Sequence, residues 1–332
     1  LLMRLINHKV YLFRFGDSDF TFRKRISGTL RMYEQMDKRN KKPVTFEEGL
    51  MLLHKWREDN VRQHERLLEI WENVIEPAAR NLDDERWAVY EQVYIAAIDC
   101  ADVEIASSTL TAMHKKFQKS ERLVRLQGLC LEADGQYEEA MELYSMLMEA
   151  NPTNLSNAKR RIACLISLGR TNEAIRELCS HLQNFMNDTE SWMELCHLYI
   201  KEFEFPKAVF CVEEMILSQP ECYAYHLFLA EIKFTIGGVE NLELAKVYYC
   251  HALKLKQDCP RACWGLYITS LQLILKSSGQ KKKEHNSCLR WASTHLLRLY
   301  EKSINSSDSK KNSLIRPIQK LLRGTKITDT ST

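Results

Sequence analysis

Two dipeptides, Cys196-His197 and Cys250-His251, set a thiol beside an imidazole, the residue types of a nucleophile and its general base. On a helix, neighbouring side chains diverge by about 100°, so neither pair can act together. His197 reads better as a solvated or partner-contacting side chain. Cys259 and Cys263 stand one helical turn apart with Pro260 between them. A metal would need further Cys or His at ligand spacing, and none is there. The chain also lacks a Gly-rich phosphate loop, GxSxG, HExxH and an Asp-rich metal loop. The expectation is therefore no catalytic residue, no cofactor and no metal. The 11 cysteines, scattered from Cys100 to Cys288 without a CxxC, read as reduced thiols used as small apolar residues.

The elements that must position these side chains are helices. The 332 residues are 45% apolar, enough to build a core, and only 7 prolines and 11 glycines interrupt them. Residues 1–43 carry a charge balance of +7 and the remainder −4. A mildly acidic body disfavours nucleic-acid binding. No apolar run reaches the roughly 18 residues that span a bilayer. Charged residues Arg4, Lys9, Arg14 and Asp17 break the N-terminal apolar stretches, so no secretory signal is expected.

Self-similarity organises the body. Ala106, Ala140, Ala174 and Ala208 recur every 34 residues, the period of the tetratricopeptide repeat, a pair of antiparallel helices. With the alanine at repeat position 20, Gly135 and Gly169 fall at position 15, the turn between helices. Pro152 and Pro220 fall at position 32, where the second helix ends. Trp192, Leu195 and Tyr199 occupy positions 4, 7 and 11; Gly128 and Tyr144 occupy 8 and 24. A small residue at 20 lets two helix backbones approach. Glycine at 15 accepts a positive φ, and proline at 32 stops the unit. The fold class is all-α, a tetratricopeptide-repeat superhelix or α-solenoid.

The pattern slips once. In "FTIGGVENLELAKVYYCHALKL", Gly237 holds position 15, but the alanine, Ala245, comes three residues late. The reading is a lengthened "GGVEN" turn capped by Asn241, with both helices unchanged. Upstream, Thr45-x-x-Glu48 forms a capping box before one helix, and a second is expected over about Val61–Ala79. Downstream, a helix from Arg261 and another from Cys288 flank a polar loop, Ser277–Ser287. A linker and a short helix, Leu314–Leu322, follow. Four regions result: a disordered basic extension (1–43), capping helices (44–86), the repeats (87–303), and a linker with a C-terminal tail (304–332).

Such repeats bind extended or helical segments along their first helices, at positions 2, 5, 9, 12 and 13. Those positions include Glu91, Arg122, Arg125, Lys159, Met193, His197, Leu227, Glu231 and Phe234. They suggest a peptide groove, basic first and apolar and acidic later. No Asn stands at position 9, which disfavours a chaperone carboxylate clamp. The residues alone leave three classes open: a stable scaffold, a soluble co-chaperone or targeting receptor, and an adaptor in an RNA-processing or ubiquitin-ligase assembly.

Several segments carry a more specific resemblance: "WREDN" (56–60), "YEQVYIAAID" (90–99), "NPTN" (151–154), "WMELCHLYI" (192–200), "AVFCVEEMIL" (208–217) and "RWAS" (290–293). With "IGGVENLELAK" they resemble the family of subunit 2 of the endoplasmic reticulum membrane protein complex. That family carries the same Gly-Gly-x-Glu-Asn-Leu-Glu-Leu. The similarity runs from about Thr45 to the end of the chain. The resemblance implies a non-catalytic scaffold, peripheral on the cytosolic face of the endoplasmic reticulum. Its partners would be the cytosolic tails of membrane-embedded subunits and another soluble subunit. The assembly would insert tail-anchored and multi-pass membrane proteins.

Overall fold

A helix of 13 or 14 residues, a short link and a second such helix make the recurring module. The computed structural model describes residues 44–83 and 85–304, together with Lys320 and Leu322. The helices are α1 Phe46–Glu58, α2 His64–Ile70, α3 Arg86–Asp99, α4 Val103–Lys116, α5 Glu121–Ala133, α6 Tyr137–Ala150 and α7 Leu155–Ser167. They continue as α8 Thr171–Asn184, α9 Thr189–Lys201, α10 Phe205–Ser218, α11 Tyr223–Ile236, α12 Val239–Leu255, α13 Pro260–Lys276 and α14 Gly279–Ile304. The starts of α5, α7, α9 and α11 are 34 residues apart, as are those of α4, α6, α8, α10 and α12. The described residues form no strand. No described helix is long and apolar enough to cross a membrane.

Ala106, Ala140, Ala174, Ala208 and Ala245 are all buried. Position 15 is left-handed in five successive units: Gly135, Gly169 and Gly237 have φ of 80°, 75° and 77°, and Ala101 and Phe203 adopt 59° and 60°. Pro152 and Pro220 lie just past the ends of α6 and α10. The Pro220 carbonyl accepts a hydrogen bond from Nε2 of His226 at 2.7 Å. Gly128 makes room for a ring: a Cβ there would meet the Tyr144 phenol at 2.7 Å.

The chain divides into two compact units, 1–177 and 178–332, with the division inside α8. In the first, Leu53, Trp71, Ile75, Val93, Tyr94 and Leu126 belong to one core cluster, and a smaller one joins Ala140, Tyr144 and Cys164. In the second, Ala245, Tyr249, Leu266, Ala292 and Leu296 share a cluster that also takes in Leu322. Cys259 and Cys263 are members of that cluster, as small core residues.

Three sequence expectations are corrected. First, "GGVEN" is not a lengthened turn. α12 begins at Val239, in step with the other second helices, and the three added residues lengthen the helix to 17. Gly238 is its N-cap, while Asn241 lies inside it and donates from Nδ2 to the Gly237 carbonyl at 2.9 Å. Leu242 is wholly buried, and Ala245 sits one turn later; three residues add about 4.5 Å at 1.5 Å each. α13 is also 17 residues long. Second, the loop expected over Ser277–Ser287 shrinks to Ser277 and Ser278, because α14 starts at Gly279. Its polar residues are good helix formers, and Lys281 and His285 dock on Glu243 and Lys246 of α12 at 3.1 and 3.2 Å. Third, the second capping helix is shorter than Val61–Ala79. α2 starts at His64, widens into a π turn over Trp71–Ile75 that buries both end residues, and stops ahead of Pro77. The Thr45–Glu48 capping box forms as read, with bonds of 3.1 and 3.3 Å. The extension 1–43 and nearly all of Leu314–Leu322 lie outside the described residues.

Candidate functional site

In the first unit, Glu91, Arg122, Arg125 and Lys159 sit on first helices α3, α5 and α7. Glu91 and Arg122 engage each other: Arg122 Nε donates to Glu91 Oε1 at 2.9 Å, and Nη2 reaches the other oxygen. The pair ties α3 to α5. Lys159 is half-buried. Arg125 is half-buried as well and makes no hydrogen bond or ion pair to another described residue. Arg122 and Arg125 line a cleft of about 490 Å³ with Ser120, Glu121, Asn154 and Asn157. Ser120 and Asn154 are the N-caps of α5 and α7, so two helix N-termini open on the same cleft. Asn154 Oδ1 accepts from the Ser156 amide at 3.2 Å, whereas the Ser120 side chain makes no cap bond. Asn157, 1% exposed, has a buried Oδ1 without a hydrogen-bond partner among the described residues. Sequence reasoning missed Asn157, which falls at repeat position 3. The available signal was an amide inside the apolar pattern of Leu155, Ile162 and Leu165.

In the second unit, α9 carries Met193 and His197, and α11 carries Leu227, Glu231 and Phe234. Met193 is half-buried. The His197 ring lies 5.6 Å from Phe228, and burial holds its pKa below the usual 6.5. Leu227 departs from its expected place on an open apolar strip. It is 6% exposed and belongs to the core cluster with Ala230, Cys263 and Leu266, because α13 packs beside α11. Phe234 is half-buried against the same cluster. Glu231 accepts two hydrogen bonds from Arg261 of α13. Burial raises its carboxyl pKa while Arg261 opposes that rise. Of the charged positions expected to meet a partner, Glu91, Arg122 and Glu231 thus serve to join consecutive helix pairs.

Other charged residues of the middle repeats are structural. Glu132 accepts from the Tyr144 hydroxyl at 2.5 Å and from Arg160 at 3.2 Å, linking α5, α6 and α7. Arg161 grips Glu177 at 2.7 and 3.1 Å. A grouping of Ser191, Asp188 and His181 has the residue types of a hydrolase triad in the wrong order. The Ser191 hydroxyl donates to Asp188 at 2.7 Å, and His181 meets the same oxygen at 3.0 Å. No base touches the serine, and Asp188 is the N-cap of α9. Burial pushes the thiols of Cys164, Cys211 and Cys263 up to about 12, so they stay protonated and weakly nucleophilic. A second cleft of about 750 Å³ is lined by Arg86, Trp87, Tyr90, Ser107, Thr111 and Lys115, among other residues. It contains none of the residues that the sequence places in a partner groove.

These helix pairs can be set beside known proteins. Residues 105–238 match the family described as the EMC2 TPR-like repeat domain. The chain is 41% identical over 260 residues to ER membrane protein complex subunit 2-A of Xenopus laevis, covering 78% of this chain and 88% of that one. It is 31% identical over 232 residues to ER membrane protein complex subunit 2 of Dictyostelium discoideum, covering 66% and 72%. It is 32% identical over 204 residues to TPR repeat protein oca3 of Schizosaccharomyces pombe, covering 60% and 72%. Among solved structures, the C-terminal part of a TPR repeat-containing protein from Cytophaga hutchinsonii superposes with a TM-score of 0.52 at 16% identity. It covers 81% of this chain and 98% of that one, and bears on the fold alone. Identity at this level over most of both chains, on an all-α tetratricopeptide-repeat fold, assigns the chain to the family of ER membrane protein complex subunit 2.

Proposed function

We propose that the chain is a non-catalytic scaffold subunit of the endoplasmic reticulum membrane protein complex. It sits peripherally on the cytosolic face of that membrane and supports insertion of tail-anchored and multi-pass membrane proteins. The supporting observation is similarity to relatives named as subunit 2 of this complex over most of their length. The described residues add helix pairs whose first-helix faces carry half-buried side chains such as Arg125 and Met193. Scaffolds of this class hold extended or helical segments on such faces. Its partners are the cytosolic tails of membrane-embedded subunits and a further soluble subunit. Affinity purification of the full chain from its native cells is the test. Stable recovery of a set of endoplasmic reticulum membrane subunits is expected. Recovery of chaperones alone would replace this reading with that of a co-chaperone or targeting receptor.

A further inference from the structure

We propose that the cleft between the N-termini of α5 and α7 binds an extended acidic segment of a partner protein, taking one carboxylate on Arg125 and one backbone N–H on Asn157. The proposal rests on the scaffold reading above and names the chemistry of one segment that the scaffold holds.

Four observations within the first unit converge on this cleft. The Arg125 guanidinium has no partner among the described residues, although Arg57, Arg122, Arg160, Arg161 and Arg170 each hold a carboxylate. The guanidinium of a half-buried arginine is best satisfied by a planar anion that takes two of its N–H groups at once. Asn157, whose buried Oδ1 has no partner among the described residues, lines the same space. Leaving a buried acceptor without a donor costs stability, so the orphan marks a place where a donor from elsewhere belongs. The Ser120 side chain caps nothing, and the first amides of α5 have no side-chain acceptor there. Those amides and the N-terminus of α7 add partial positive charge. Finally, Glu121 is the only carboxylate among the residues lining the cleft, and with Arg122 already paired to Glu91, Arg125 is the lining cation still open to an anion.

The combination selects the ligand. A free phosphate or a lipid headgroup at neutral pH is mainly an acceptor, and would leave the Asn157 oxygen unsatisfied. A purely basic segment would meet the open guanidinium of Arg125. An extended peptide carries a donor and an acceptor on each residue and can add a side-chain carboxylate beside them. Glu121 repels a second carboxylate at the rim, which limits the site to one.

The test is fluorescence anisotropy of a labelled peptide of alternating glutamate and alanine, titrated with the full chain at low salt. Saturable binding is expected. Arg125→Met should weaken it about tenfold, as should replacing the peptide's glutamates by glutamine. Asn157→Ala should weaken it while the variant keeps its helicity by circular dichroism, since the amide oxygen holds no helix in place in the free protein. Lys115→Met removes a positive charge away from the cleft and should have no effect. Absence of saturable binding would overturn the proposal. So would equal losses from Arg125→Met and Lys115→Met, which would mean unspecific attraction. Competition by inorganic phosphate as effective as by unlabelled peptide would also overturn it, showing a simple anion pocket. Co-purification of the wild-type chain with membrane subunits tests the scaffold reading separately, so either can fail while the other stands.

Discussion

At the level of single residues, repeat position 15 shows the backbone overruling side-chain preference. Gly135, Gly169 and Gly237 enter the left-handed region without a Cβ, but Ala101 and Phe203 adopt it at a steric cost of about 1–2 kcal/mol each. Phe203 is 77% exposed, so its ring contributes little packing that could offset that cost. Phe203→Gly should therefore raise stability by up to about 1 kcal/mol, the strain relieved less the added entropy of the unfolded glycine. Gly135→Ala should lower it by a similar amount. No atom lies within 4 Å of the new Cβ, so the loss isolates the backbone term. Thermal melting of the two variants decides, and shifts of the same sign would refute the account. The glycines of this position were legible in the sequence; Ala101 and Phe203 were not, because only the backbone shows that they share the conformation. His197 offers a second test. Burial lowers its folded pKa beneath the usual 6.5, so its neutral form stabilises the fold fully above that pH. That contribution is lost as pH falls from 6.5 through the folded value, because the unfolded chain takes up the proton first. His197→Phe should melt with a shallower dependence on pH below 6.5 than wild type, and parallel curves would exclude the effect.

At the level of helices, the displaced alanine separates what spacing reveals from what it hides. The sequence registers that three residues are added between Gly237 and Ala245, and is silent on whether they join a loop or a helix. Helix wins because Val239, Leu242 and Ala245 keep helical spacing on to Tyr249, and Leu242 gains complete burial by it. Leu242→Ala should then cost about 2–5 kcal/mol, the range for emptying a buried leucine site. A melting temperature equal to wild type would restore the loop reading. The run Lys281–Lys283 carries the same lesson. Its polarity suggested a loop, but Lys281 pairs with Glu243, and α14 continues through it. Polarity reports exposure, and an exposed helix face is as polar as a loop.

At the level of the whole molecule, each compact unit has its own core, and the first opens with a self-sufficient start. The Thr45 hydroxyl accepts from the Glu48 amide while the Glu48 carboxylate accepts from the Thr45 amide. Donors of the first turn of α1 are thereby satisfied from within the helix. A chain beginning at Lys42 should fold with unchanged helicity and recover the same partners as the full chain. Loss of helicity by circular dichroism, or of any partner on purification, would assign residues 1–43 a structural part. Family membership also belongs to this scale. The repeat alone is shared by many proteins, and it is similarity over most of the chain that narrows it.

What the sequence alone determined is periodic and local. The 34-residue repeat, the buried alanines, the turn glycines and the terminating prolines each follow from backbone sterics within one helix pair, and the same constraint recurs in every unit. What only the tertiary structure decided depends on side chains that neighbouring pairs bring together. Glu91 and Arg122 are 31 residues apart and Glu132 and Arg160 are 28 apart, and no local pattern announces their pairing. Leu227 joins the core because α13 covers it. Arg125 and Asn157, 32 positions apart on successive first helices, share a cleft because the repeat stacks α7 beside α5. A period fixes where each helix lies, but whether a side chain there is paired, covered or left open is decided by the next helix over.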